Sequence, residues 1–325
     1  MYFPIKVRLV KNEIMKALVI SGGGSKGAFA GGIAEYLIND CGNSYDLLVG
    51  SSAGSLLLPH VALGNIEKIK KIFTTTTQED IFNVSPFNIK ETNGNYFKSI
   101  NQFAILRNIL KGHITFGESE NLKKLIFENL SKEEFENISL LQKKVIVTVS
   151  NLTKQKVEYF NSVDCAYEDF CNWTWASANA VPYMSVYEHG GCQYADGGFG
   201  NHIPINCALE NGVTDLDVII LEGENEIHNL PIAHNPFSLV MQTISFMSNQ
   251  ISMKDRIIGR LMGLSHELDI RIYFTPKHLT DNPFVFRPEL MKQWWEDGLE
   301  FARNNKPVSY SYRPNAKANG QAAIL

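Results

Sequence analysis

Apolar residues along this chain follow two periods, and the alternation between them lays out its elements. Four short runs are nearly continuous: Ala17-Leu18-Val19-Ile20, Leu47-Leu48-Val49, Val145-Ile146-Val147-Thr148-Val149 and Leu216 to Leu221. Runs of that length, rich in β-branched residues, predict strands buried on both faces, as in a parallel sheet covered by helices. Between them the spacing turns helical, over Ala28 to Ile38, Lys68 to Phe73, Gln102 to Leu110, Glu120 to Asn129 and Tyr167 to Ala180. Ser119 is placed to cap the fourth of these, Ser131-Lys132-Glu133-Glu134 is a capping box opening another helix, and Pro182 stops the fifth. Asn83 to Asn95, rich in Asn with Pro and Gly, reads as a surface loop, and Lys156 to Phe160 as an antiparallel neighbour of the preceding strand. After a His189-Gly190-Gly191 turn, Cys192 to Ala195 is a short strand, and Pro204 to Asn211 a short helix ended by Gly212. The expected fold is α/β, a three-layer sandwich with a central, mostly parallel sheet.

Further on, Val240, Ile244, Met247, Ile251, Ile258 and Leu261 share one face of a helix, and Leu268, Ile270, Ile272 and Phe274 alternate as in a half-buried strand. Leu290, Trp294 and Phe301 mark a final helix. The expected organisation is a catalytic domain over 16–222 and an extension over 223–325 packing on it, with a disordered tail from about 305. This extension either completes the core or, through Phe246, Met247, Trp294 or Trp295, borders a substrate entrance or a lipid surface.

Two glycine turns stand out in the stretch from Lys16 to Gly54, each following a strand and opening a helix. The second, Gly50-Ser51-Ser52-Ala53-Gly54, has the G-x-S-x-G pattern of a nucleophile elbow, which strains and exposes its central serine, here Ser52. The first contains Gly22, Gly24 and Gly27 in G-x-G-x-x-G spacing, which is also a dinucleotide-binding fingerprint. That reading wants an acidic residue at the far end of the second strand, where Gly50-Ser51-Ser52 stands instead. A Walker A loop is excluded because no Gly-Lys-Ser/Thr closes the turn. The reading that survives best is an oxyanion hole made of the backbone N–H groups of Gly22, Gly23 and Gly24 at a helix N-terminus. A plain structural turn is the remaining alternative.

Composition narrows the partners. The 325 residues are 44% hydrophobic, enough for a substantial core, and the net charge of −4 gives no footprint for nucleic acid or anionic lipid. No apolar run is long enough for a transmembrane helix, and Met1 to Lys11 lacks the unbroken core of a signal peptide, so a cytoplasmic protein, peripheral to membranes at most, is expected. Cys41, Cys165, Cys171, Cys192 and Cys207 are odd in number and lack C-x-x-C spacing, which predicts buried free thiols rather than disulfides or a zinc site.

Asp196-Gly197-Gly198 follows the short strand at Cys192, an ordinary turn sequence on its own. Together with Gly22 to Gly27 and Gly50 to Gly54, however, it resembles in order and spacing the motifs of the patatin-like phospholipases, a family to which the catalytic domain of cytosolic phospholipase A is also related. Ala176-Ser177-Ala178, followed by Pro182, is similar to a fourth segment of that family, and the match covers roughly Lys16 to Leu221. The resemblance implies a lipid acyl hydrolase with Ser52 as nucleophile and Asp196 as proton acceptor. It implies an oxyanion hole of Gly22, Gly23 and Gly24, with Lys26, Gly27 and the Ala53 backbone nearby. It implies no metal and no organic cofactor, and a lipid ester substrate met at a membrane surface; oligomeric state is left open. A carboxylate at its free pKa is a weak base, so such a dyad needs Asp196 to be partly buried. The rival readings are a Ser-His-Asp hydrolase, with His202 the histidine nearest in sequence to Asp196, and a catalytically silent lipid-binding member of the family. His60 is expected to serve helix packing.

Overall fold

The computed structural model describes residues 15–92, 95–224, 232–264, 268–280 and 282–312. In chain order the elements begin with β1 (Lys16–Ile20), α1 (Gly27–Glu35), β2 (Leu47–Ser51), α2 (Ala53–Leu63), α3 (Ile66–Thr75) and α4 (Gln78–Ile81). A hairpin of β3 (Phe87–Thr92) and β4 (Asn95–Ile100) follows, then α5 (Gln102–Leu110), α6 (Glu120–Asn129) and α7 (Lys132–Leu140). The second half runs β5 (Lys144–Asn151), β6 (Lys156–Asn161), α8 (Tyr167–Ser177), β7 (Tyr187–His189), β8 (Cys192–Asp196), α9 (Ile205–Glu210) and β9 (Asp215–Ile220). It closes with α10 (Pro236–Gly263), β10 (Leu268–Phe274), α11 (Pro288–Asn304) and β11 (Val308–Tyr312).

The central sheet has the order β11-β10-β9-β1-β2-β5-β8-β7, with β6 also paired to β5. Strands β10, β9, β1, β2 and β5 are mutually parallel, and antiparallel strands border them on both sides. Alternating side chains of the parallel strands enter two separate cores, Leu18, Ile20, Leu48 and Val147 on one face and Ala17, Val19, Leu47 and Ile146 on the other. This is the physical content of the continuous apolar runs: each face meets its own layer of helices. On the first face α1 is clamped by α11, where glycines bring backbones into contact. A Cβ at Gly32 would lie 2.0 Å from the Trp295 carbonyl oxygen, and one at Gly298 would lie 2.2 Å from that of Phe29. The Trp295 indole N–H donates to Glu35 Oε2 at 2.6 Å, which satisfies a fully buried ring nitrogen.

Several expectations are corrected. Asn83 to Asn95 is not all loop, because Phe87–Thr92 pairs antiparallel with Asn95–Ile100, with Asn88 inside one strand and Asn95 beginning the other; positions 93–94 lie outside the described residues. Helix α1 ends at Glu35 and passes into a π-turn over Tyr36–Asp40. Ser119 precedes α6 without capping it through its side chain, since its hydroxyl donates to Asn179 Oδ1 at 2.6 Å. Helix α8 stops at Ser177, five residues before Pro182, because Ser177 and Asn179 are used to hold the site described below. The tail expected to be disordered from about 305 contains β11, which pairs antiparallel with β10. Cys171, Cys192 and Cys207 are buried free thiols, but Cys165 is half-buried and Cys41 is exposed.

The apolar stripe on α10 is divided. Val240, Met247, Ile258 and Leu261 are exposed, Ile244 and Ile251 are half-buried with Ile244 packed on the core, and the buried residues of this helix are Ser252, Asp255, Gly259 and Gly263. No helix among the described residues is long and apolar enough to cross a membrane. The segment Met1 to Lys11 lies outside the described residues.

Candidate active site

Ser52 sits between β2 and α2 with φ 53° and ψ −123°. This left-handed backbone is strained for a residue with a Cβ, and it persists because its surroundings over-determine it. The flanking glycines supply the room: a Cβ at Gly54 would lie 2.3 Å from the Ile20 carbonyl oxygen, and one at Gly50 would lie 2.8 Å from the Ser55 nitrogen. The sharp turn points Ser52 into a cavity of about 1250 Å³. Its N–H donates to Ser177 Oγ at 3.1 Å, and Ser177 Oγ also lies 2.8 Å from Ser55 Oγ, so the end of α8 buttresses the elbow.

Asp196 reaches the same place from the other side of β5. Thr148 pairs with Ser51 on β2, Val149 pairs with Asp196 on β8, and the two strand ends therefore lie across one another. The Ser52 hydroxyl donates to Asp196 Oδ2 at 2.6 Å, and the Gly198 N–H donates to Asp196 Oδ1 at 2.7 Å. The backbone N–H of Asp196 donates to the Asn179 carbonyl oxygen at 2.9 Å, and Gly197 admits no Cβ, which would lie 2.2 Å from the Thr148 carbonyl oxygen. Burial pushes the Asp196 pKa up to about 6, against the lowering effect of its bonds from Ser52 and Gly198. A carboxyl with that value is charged near neutrality and holds a proton more tightly than an ordinary aspartate.

The first glycine turn faces both groups. Here the structure corrects part of the expected donor set, because the Gly22 N–H donates to the His202 carbonyl oxygen at 3.2 Å. Those of Ser25, Lys26 and Gly27 are also committed, to Pro283, Gly23 and the turn itself. Gly23 and Gly24 line the cavity, and their N–H groups have no backbone partner among the described residues. Ala53, the first residue of α2, lines the same cavity beside Ser52. Gly24 requires its glycine twice over, with φ 56° and Pro283 O in the space of a Cβ. Lys26 donates its ammonium to the Leu221 carbonyl oxygen at 2.7 Å and so bridges the turn to the end of β9.

Sequence reasoning missed the polar wall beside Ser52 and Asp196. The His202 ring lies against Gly22 and Gly198, and its Nε2 is 3.6 Å from Glu222 Oε1. Burial lowers the His202 pKa against the raising effect of Glu222, and no hydrogen bond joins it to Ser52 or Asp196 among the described residues. Burial disfavours the Glu222 carboxylate, but His202, Lys26, the Ser252 hydroxyl and Arg256 outweigh it and hold its pKa below the usual value. Ser252 donates to Glu222 at 2.6 Å and Arg256 at 2.9 Å, both from α10. Nothing in a one-dimensional pattern pairs residues that far apart. His60, expected in helix packing, is buried but borders the cavity, and burial lowers its pKa to about 4. Trp294 lines the cavity, Trp295 belongs to the core, and Phe246 and Met247 are exposed outside it. His228 and His266 lie outside the described residues.

A three-layer α/β fold with a strained elbow serine bonded to a buried strand-end aspartate defines the class. The chain belongs to the patatin-like phospholipase family, whose model matches residues 18–209. That membership makes lipid acyl hydrolysis its general activity class. Among solved structures it is similar to VipD from Legionella pneumophila at 15% identity, with a TM-score of 0.47, over 92% of this chain and 68% of that one. No curated protein compared with the chain matches it.

Proposed function

We propose that the protein is a serine esterase of the phospholipase A type, cleaving carboxylic esters of polar lipids through an acyl-enzyme on Ser52. The observation that carries this is the 2.6 Å bond from Ser52 Oγ to Asp196 Oδ2 at the wall of a large cavity. Leu56, Ile72, Leu125, Ile126, Met291 and Trp294 give that cavity an apolar part suited to an acyl chain. As Ser52 Oγ attacks the ester carbonyl carbon, Asp196 takes the hydroxyl proton, and the oxyanion settles on the N–H groups of Gly23, Gly24 and Ala53. Collapse breaks the bond to the leaving alkoxide, which receives the proton from Asp196. Water then repeats the sequence: Asp196 takes its proton, hydroxide adds to the acyl carbon, and Ser52 leaves and is reprotonated as the fatty acid departs.

Covalent labelling by a fluorophosphonate, together with turnover of phospholipid, lysophospholipid, triglyceride and short nitrophenyl esters, tests this reading. Labelled Ser52 with ester turnover supports it; an unlabelled, folded protein that binds lipid without turnover makes it a silent member of the family.

Two predictions follow from the geometry. Since Asp196 must be ionised to accept the proton, kcat/KM on a soluble ester should be level above pH 7 and fall about tenfold per unit below about pH 6. A profile flat down to pH 4.5 would contradict Asp196 as the base. Gly23→Ala should lower turnover by roughly 10² to 10³, because the added Cβ, 2.5 Å from Leu221 Cδ1, pushes the N–H from the oxyanion. Apparent affinity should change far less, and Leu221→Ala in the same chain should restore part of the rate by making room.

A further inference from the structure

Helix α10 is amphipathic in the reverse of the usual sense. Its inner face lines the cavity through Ser238, Gln242, Ser245, Ser248 and Asn249, interrupted by Met241 and Ile244, and Ser252 continues the polar positions onto Glu222. Its outer stripe, Leu239, Phe246, Met247, Ile257, Leu261 and Leu264, is exposed, with Phe246 at 63% and Leu261 at 61%. Lys254 is the one charged residue of α10 that is exposed. A surface helix in water turns its apolar stripe to the core, so a reversed stripe along about 40 Å of helix marks a surface that meets something other than water.

The second patch identifies the occupant. Phe103, Leu106 and Leu110 form an exposed apolar face on α5, continued by Ile114. The loop after α5 touches the start of α10 through Phe116 and Phe237, whose rings are 5.5 Å apart. Exposed residues that also line the cavity mark its mouth: Ser99 and Gln102 at the start of α5, Ile232 and Asn235 at the start of α10, and His278 between β10 and α11. The two apolar faces thus border the passage into the cavity. A second copy of the chain over both would cover the mouth that a substrate must cross, whereas a bilayer delivers the substrate there.

We infer that the outer faces of α10 and α5 seat this protein on a phospholipid bilayer, with the inner polar positions of α10 receiving the polar part of a lipid drawn from it. This inference rests on the esterase reading for its substrate but not for the docking itself. The exposed charges here are cations, Lys254 on α10 with Arg107 on α5 and Lys111 after it, and neither helix exposes a carboxylate; on zwitterionic lipid, attachment is therefore by apolar insertion and should survive high salt.

The test uses full-length protein and phosphatidylcholine vesicles, read by flotation, alongside hydrolysis of vesicle lipid and of a water-soluble nitrophenyl ester. Wild type should float with vesicles equally at low salt and at about 0.5 M NaCl. The pairs Phe246→Asp/Leu261→Asp and Phe103→Asp/Leu110→Asp should each reduce binding and vesicle hydrolysis by about tenfold or more, with soluble-ester turnover within about twofold. Wild type that does not float, variants that float as well as wild type, or a wild-type dimer that these substitutions dissociate without loss of flotation would each overturn the surface. Vesicle binding lost in the variants, with no ester cleaved by wild type, would uphold the surface and remove the esterase reading instead.

Discussion

Replacing Ser52 with alanine is expected to lower ester turnover by about 10⁴-fold or more, with the fold intact and fluorophosphonate labelling abolished. The Ser52 hydroxyl makes one bond, to Asp196, and its Cβ already stands in the strained elbow, so alanine removes the nucleophile without moving the backbone. Ser51 and Ser55 cannot substitute for it. Ser51 is a fully buried strand residue beside Gly197, and the Ser55 hydroxyl is engaged with Ser177. Turnover kept within tenfold of wild type, or a label mapped to Ser51, would refute Ser52 as the nucleophile.

Asp196→Asn should be equally damaging, about 10⁴-fold in turnover, because an amide of the same shape accepts no proton. The same substitution should raise stability at pH 8. A folded-state pKa near 6, above the ordinary 3.8, means that the carboxyl favours the folded state in its protonated form and that this advantage is lost as pH rises through about 6. Two units correspond to about 3 kcal/mol carried as a penalty at pH 8, which the neutral amide avoids. Denaturant midpoints should therefore favour Asp196→Asn at pH 8 and converge with wild type near pH 4. His202→Gln should retain at least about a hundred times the activity of Asp196→Asn, since the imidazole packs on Gly22 and Gly198 and carries no proton to Ser52. An equally inactive, folded His202→Gln would point to a histidine-dependent mechanism instead.

Much of this was legible in one dimension, for a local reason. The apolar runs at Ala17, Leu47, Val145 and Leu216 are strands because each must bury two faces, and this requirement is written into consecutive residues. Gly50 announces the elbow because the backbone approach that excludes a Cβ there, to Gly54 and Ser55, arises within a single turn, whereas Gly54 is required by β1, through the Ile20 carbonyl. The Ser131 capping box likewise closes on itself within four residues.

What lies between segments was decided only by the fold. Asp196 meets Ser52 because β8 and β2 both flank β5, and the rise of its pKa comes from burial that no neighbour in sequence supplies. Which glycine N–H groups stay free was settled by the His202 carbonyl and Pro283, each far from the turn in the chain. Periodicity located the apolar stripe of α10 but left open whether it meets the core or a surface, since spacing reports that a helix has two faces and not which one turns inward. That choice depends on what the opposite face must line, and here a mostly polar face lining a cavity sent most of the apolar stripe outward.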